Sequence, residues 1–230
     1  MKLPMSSRLL TCCSLVHPGD RVADIGCDHG YLGIYLLTNG IASSTIEADI
    51  NPQPLESARR NGRKFGVDGA LTFCLSDGLQ ALPRDFDCLV CAGMGADTII
   101  SILGGVPWLR EGGFRLILQC QSKRPELRRW LYENGYHICR ETLAQDGKFI
   151  YTVMEVCFGP EPMPTDAQLH LSPQLLTDNH PLLQDLYDRV VGVIRTSVAG
   201  LRRSENDQLH VFEKILADLE KLEGTIHGNG

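Results

Sequence analysis

The sequence predicts an α/β fold: a mostly parallel sheet finished by an antiparallel hairpin, with a small helical domain after it. Three observations carry this. Apolar runs at 21–25, 45–49, 71–75, 87–92 and 114–119 alternate with amphipathic segments near 30–38, 53–65, 79–82 and 96–103. Such alternation implies parallel strands with helices on both faces. Two further runs, 136–143 and 149–158, are joined by AQDGKF, whose central Asp-Gly predicts a hairpin turn. Beyond the Pro-rich break FGPEPMPTDAQ, apolar residues recur at spacings of three and four in two stretches, the signature of paired helices.

Taken in order, MKLPMSSRLLTCCSLVHPGD reads as an amphipathic first helix, because it lacks the small-residue cleavage pattern of a signal peptide. The five alternating runs and the hairpin then fill a domain over 1–159. Residues 160–230 form a second, helical unit. Its first seam is Leu183, Leu186, Tyr187, Val190, Ile194, Val198 and Leu201; its second is Leu209, Phe212, Leu216, Leu219 and Leu222, and polar RRSENDQ separates them. This predicts an antiparallel helical hairpin with a coiled-coil-like seam. It either packs on the sheet domain or projects toward a large substrate, with Arg202 and Arg203 at its tip.

With 43% apolar and 22% charged residues, a chain of 230 residues can bury a core. No stretch approaches the length of a transmembrane helix, so no membrane partner is expected. Net charge is −6, which argues against a general polyanion binder, but the acidity is uneven. Residues 1–158 carry 16 basic and 17 acidic side chains and 159–230 carry 6 and 11, so a basic face remains available on the first part. The nine scattered cysteines fit core thiols in a reducing cytoplasm. Cys88 and Cys91 form a CxxC, but it lies in an apolar strand with no second Cys/His pair, so no metal site is expected.

The stretch VADIGCDHGYLGIYL, residues 22–36, holds the first functional signal. A strand ending in Asp24 puts the loop at the C-terminal edge of the sheet, where ligands bind. Gly26 permits the turn, and Gly30 permits close packing of the next helix against the strand. A dinucleotide loop would need glycines where Asp28 and Tyr31 stand, and a carboxylate there repels a pyrophosphate. The spacing fits (D/E)xGxxxG instead, a loop for S-adenosyl-L-methionine, whose methionine end is cationic. Asp49 ends the second strand 23 residues after Gly26 and can accept from ribose hydroxyls; Ile50 lies beside it. Asp77-Gly78 ends the third, with a carboxylate for the adenine amino group and space for its ring. At the fourth strand's tip, Gly93 and Met94 of CAGMGAD face the transferable methyl; the turn's two glycines would serve positive φ or let a flat ring approach. Five parallel strands and a hairpin match a Rossmann-like class I methyltransferase sheet rather than a six-stranded dehydrogenase.

Together these residues resemble the bacterial tRNA (adenine-22-N1)-methyltransferases. The family's "ADIGsDHaYLP"-like loop, "GMGG" turn, "LILQP"-like strand followed by "LRxWL", "EdGkfYe"-like hairpin and "GPxLL…NPLL"-like stretch read here ADIGCDHGYLG, GMGA, LILQCQSKRPELRRWL, AQDGKFIYTVME and SPQLLTDNHPLL. Gly33 stands for Pro, Cys120 for the Pro after Gln119, Ala96 for the last Gly, and the tail is acidic. The resemblance implies a cytoplasmic enzyme that methylates nitrogen 1 of a tRNA adenine, acting as a monomer without a metal. It makes Asp28 the candidate group for stabilising the cationic product, or else a helix N-cap. His29 and Tyr31 are candidates for positioning the base. Arg59, Arg60, Arg63 and Lys64, and then Lys123, Arg124, Arg128 and Arg129, are candidate phosphate contacts. The alternatives are a methyltransferase for another RNA site or a small molecule, and a non-catalytic cofactor-binding scaffold.

Overall fold

The computed structural model describes residues 3–111, 113–204 and 207–227. The chain runs α1 (Ser7–Ser14), β1 (Arg21–Ile25), α2 (Tyr31–Thr38), β2 (Ser44–Asp49), α3 (Pro52–Phe65), β3 (Leu71–Leu75), β4 (Cys88–Met94) and α4 (Ala96–Gly104). It continues through β5 (Arg115–Cys120), α5 (Arg124–Glu133), β6 (Tyr136–Asp146) and β7 (Phe149–Phe158) to α6 (Asp166–His170), α7 (Pro173–Asp178), α8 (Leu183–Arg203) and α9 (Leu209–His227). Among the described residues, seven strands form one sheet in the order β3-β2-β1-β4-β5-β7-β6. The first five are parallel, and β7 pairs antiparallel with both β5 and β6. The order reverses between β1 and β4, so the loops after these strands open a crevice at their C-terminal ends.

Alternation along each strand feeds two cores. Ala23, Ile25, Leu89 and Cys91 face α4 and α5, while Val22, Cys88 and Val90 face α1 and α2. Cys88 and Cys91 therefore point to opposite faces of β4, both with no exposure, and cannot act as a pair. Burial holds each thiol protonated by pushing its pKa up.

One expected element is absent. The amphipathic segment near 79–82 forms turns rather than a helix. Pro83 interrupts this short link, and Leu79, Leu82 and Phe86 act as apolar plugs on the sheet instead. Between β7 and the helical hairpin lie two short capped helices that the spacing of apolar residues did not mark. Thr165 and Gln168 form a capping box for α6, and Ser172 caps α7.

The helical hairpin is present as α8 and α9. Its core is continuous with the sheet domain: Leu143 of β6 and Ile150 of β7 share one cluster with Leu175, Leu186, Ile194 and Leu219. A buried polar knot fastens the same seam. Arg128 pairs with the Glu141 carboxylate and donates to the Leu169 carbonyl at 2.8 Å, while the Ser172 hydroxyl donates to Glu141. This overturns the expectation that Arg128 meets phosphate. Its position on α5 faces inward, and the guanidinium is spent on a carboxylate and a backbone carbonyl that burial would otherwise leave unpaired.

Candidate active site

The loops after β1, β2, β3 and β4 enclose two cavities that share Gly26. The larger, of about 480 Å³, is lined by Asp49, Ile50, Asp77, Gly78 and Met94, with Asp97, Thr98, Ser101 and Ile102 of α4. The smaller, of about 250 Å³, is lined by Asp24, Asp28, His29 and Tyr31, with Arg8, Gly93 and Gln121. A methyl group on Gly26 would lie 2.5 Å from Met94 Cε, and Gly26 has φ +73°. Bare backbone at Gly26 thus fits beside Met94 on the wall the two cavities share, where a side chain would not.

Local chemistry places each group. Asp49 ends β2 and its Oδ1 accepts from Asn51 N at 2.9 Å, which fixes the carboxylate at the larger cavity's wall. Gly78 (φ +54°) lies where a side chain would press Ile102 at 3.1 Å, so the backbone there lies close against α4. Gly93 has φ +83°, but Gly95, at φ −75°, has ordinary backbone; only the first glycine of the turn needs the left-handed region. Gly30 (φ +68°) makes room first for Ala58 of α3, 2.7 Å from a notional Cβ, and then for Glu47 of β2 at 3.4 Å.

Asp24 is buried, and desolvation, with the charges of Asp49 and Asp28, raises its pKa to about 7. Glu47 beneath it has no exposure; burial and Asp24 push it up as well, against the hydrogen bond from Thr45 Oγ1 at 2.8 Å. Asp28 is different. Its side chain is 75% exposed and 3.6 Å from His29 Nε2, and its φ is +52°. The N-cap of α2 is Gly30, with no side-chain cap, so Asp28 does not cap this helix. His29 and Tyr31 lie with ring centroids 5.5 Å apart, and Asn61 of α3 donates to the His29 carbonyl at 2.9 Å.

Sequence reasoning missed Arg8, Gln119, Asn61 and the polar stripe of α4. Arg8 comes from α1 and reaches the smaller cavity because Ser7 N and Arg8 N donate to the Asp146 carboxylate, at 3.0 and 3.2 Å. The signal available was a lone Arg in an amphipathic helix, which carries no such information. The polar stripe Asp97, Thr98, Ser101 at helical spacing after the glycine turn is a signal the sequence does carry.

The residues fit S-adenosyl-L-methionine. The larger cavity offers carboxylates to hydroxyl and amino donors beside a flat apolar slot. The smaller offers Asp24 to an ammonium and Arg8 to a carboxylate. Residues 5–154 match the family described as a methyltransferase domain. A Mycoplasma pneumoniae protein assigned by name to the tRNA methyltransferases is 32% identical, over 92% of this chain and 100% of its own length. The Bacillus subtilis tRNA (adenine(22)-N(1))-methyltransferase is 36% identical over 64% of this chain and 63% of its own length.

The chain belongs to the bacterial tRNA (adenine-22-N1)-methyltransferase family.

A Streptococcus pneumoniae relative, crystallised with S-adenosyl-L-methionine, superposes with a TM-score of 0.79 at 26% identity, covering 92% of this chain and 99% of that one. This methyltransferase is S-adenosyl-L-methionine-dependent. No described helix is long and apolar enough to cross a membrane, and among the described residues no three His, Cys, Asp or Glu groups could hold a metal ion.

The basic residues divide. Arg59, Arg60, Arg63 and Lys64 lie exposed on α3, Arg59 over the Phe73 ring at 4.3 Å and Arg60 bonded to Ser57 Oγ at 3.0 Å. Asn61 ties this helix to the loop of Asp28 and His29. Lys123 pairs with Asp97 at 2.7 Å and Arg129 with Asp166 at 2.6 Å. On the hairpin, Arg195 pairs with Glu220 and Arg202 with Glu213.

Proposed function

We propose that this chain transfers a methyl group to nitrogen 1 of adenine 22 in tRNA, giving 1-methyladenosine, in the bacterial cytoplasm. S-adenosyl-L-methionine supplies an electrophilic methyl on a sulfonium. The adenine nitrogen attacks it, the new N–C bond forms as the C–S bond breaks, the electron pair goes to sulfur, and the base becomes cationic. The base must leave its pairing partner to reach the smaller cavity.

The observation that carries the reading is Asp28. It holds a left-handed conformation that costs a non-glycine residue roughly 1 kcal/mol, it does not cap the helix, and its carboxylate stands at the mouth of the cavity holding Asp24 and Gly93. Such strain at a site supports a role for the side chain. A carboxylate there accepts from the adenine amino group and favours the cation as it forms. His29 and Tyr31 form an aromatic edge against which an extruded base can rest. The basic face of α3 adjoins this loop and suits phosphates. Each cavity is complete within one chain, which supports action as a monomer.

The test is methyl incorporation from labelled cofactor into tRNA transcribed without modifications. The label should appear as 1-methyladenosine and vanish when adenine 22 is replaced by guanine. Label in another nucleoside, or retained in that variant tRNA, contradicts the reading.

A further inference from the structure

A third cavity, of about 350 Å³, lies between the N-terminus of α5 and the side of α8. It adjoins the catalytic cavity, since Gln121 lines both. One part of its wall is cationic, with Arg124, Lys123 and Arg189. Another is apolar, with Val190, Val193 and Ile194.

Arg124 is the unusual member. It is half-buried, and among the described residues its side chain makes no hydrogen bond or ion pair. Burial and the neighbouring Arg128 push its pKa down against the opposing charge of Glu141, a carboxylate already held by Arg128 and Ser172. A guanidinium in this setting lacks a counter-ion of its own. Arg189 donates to the Lys148 carbonyl at 2.7 Å, a neutral acceptor that leaves its charge uncompensated. Among the described residues, the one carboxylate lining the cavity, Glu126, is exposed. Across from these cations, Val193 is 65% exposed, a large apolar side chain turned out of the hairpin's seam.

We propose that this cavity receives one nucleotide of the tRNA strand beside the target adenine, with its phosphate at Arg124 and Arg189 and its sugar or base against Val193. The inference rests on the tRNA reading above and deepens it. Drawing a base out of its stack leaves a neighbour without its stacking partner, and an apolar wall beside a phosphate site suits such a neighbour better than a free anion. The uncapped first turn of α5 adds favourable N–H dipoles to the same place. On this account α8 belongs to the substrate site.

The experiment uses the full chain, saturating cofactor and unmodified tRNA over a series of salt concentrations. Arg124→Gln should raise the KM for tRNA about tenfold, with a smaller change in kcat, and make the salt dependence of log(kcat/KM) shallower by about one. Val193→Glu should also raise KM, and Val193→Lys should lower it. These two variants keep the test decisive if Arg124→Gln fails to fold, because Val193 is exposed. Ala199→Glu makes the same charge change at another exposed position of α8 and should move KM less than twofold. Unchanged KM and salt slope in Arg124→Gln and Val193→Glu, or an equal effect of Ala199→Glu, overturns the proposal. A wild-type enzyme that methylates tRNA beside indifferent variants overturns this cavity alone; one without tRNA methylation overturns the functional reading with it.

Discussion

Gln119 Oε1 accepts a hydrogen bond from Arg8 Nη1 at 2.7 Å, and the same oxygen accepts one from Gly93 N at 3.0 Å. One buried amide thus fixes both Arg8, the one Lys or Arg among the described residues lining the smaller cavity, and the Gly93 turn on the same wall. If Arg8 holds the cofactor's carboxylate, Arg8→Gln should weaken S-adenosyl-L-methionine binding by about 1.5–3 kcal/mol, the range for a hydrogen bond to a charged group. Calorimetry with decarboxylated S-adenosylmethionine separates this from a general loss of folding. Wild type and variant should bind that analogue equally, and an equal deficit with both ligands would remove Arg8 from this role.

Gly33 stands at one of the two positions where the family usually has proline, and close packing against Glu47 leaves no room there for a side chain. A methyl group there would lie 1.9 Å from Glu47 Oε1, inside a fully buried carboxyl that cannot swing away. Gly33→Ala should therefore destabilise by about 1–3 kcal/mol through overpacking, although alanine is the better helix former by about 1 kcal/mol. Urea denaturation of Gly33→Ala alone and combined with Glu47→Ala checks this. The second substitution should relieve most of the clash, leaving only Thr45 Oγ1 at 2.8 Å, and a stabilised single variant would show that Glu47 is not the obstacle.

Much of the fold could be read in the sequence because period and turn chemistry are local. Strand β3 lies at its expected residues, and the Asp-Gly turn joins β6 to β7. The three acidic strand ends, Asp24, Asp49 and Asp77, do line the two cavities. What escaped was long-range. Nothing local distinguishes Arg128, buried against Glu141, from Arg129, which pairs at the surface; helix phase alone separates adjacent residues, and the partner lies on β6. Arg8 reaches the site only because Asp146 holds the first turn of α1 from the far end of the chain. The left-handed backbone of Asp28, which argues against a cap, leaves no sequence trace when glycine is not the residue used.

The pKa of Asp24, about 7, lies above the ordinary carboxyl value near 4. Without cofactor, the folded protein therefore retains a proton that the unfolded chain gives up. That contribution to stability is complete below pH ~4 and is lost as the pH rises through about 7, and Glu47 acts in the same direction. Asp87, held at about 2 by hydrogen bonds from Arg21, acts oppositely, losing its contribution as pH falls below ~4. Melting temperature should decline from pH 5 to 8. The cationic end of the cofactor favours ionised Asp24, so binding should release a proton and tighten as pH rises to about 7, then level off. Titrations in buffers of different ionisation enthalpy measure that proton. A flat affinity from pH 5.5 to 8 would place Asp24 away from the cofactor's charge.

The most direct measurement is single-turnover methylation of unmodified tRNA at saturating cofactor by wild type and Asp28→Asn, read as 1-methyladenosine, beside a cofactor titration. Asparagine keeps the shape, tolerates the left-handed backbone and removes only the charge. The account predicts 1-methyladenosine from wild type, equal cofactor affinity in both proteins, and a rate for the variant lower by on the order of 10²-fold, as for loss of one preorganised electrostatic group. Equal rates in the two proteins, or no 1-methyladenosine from wild type, would contradict it.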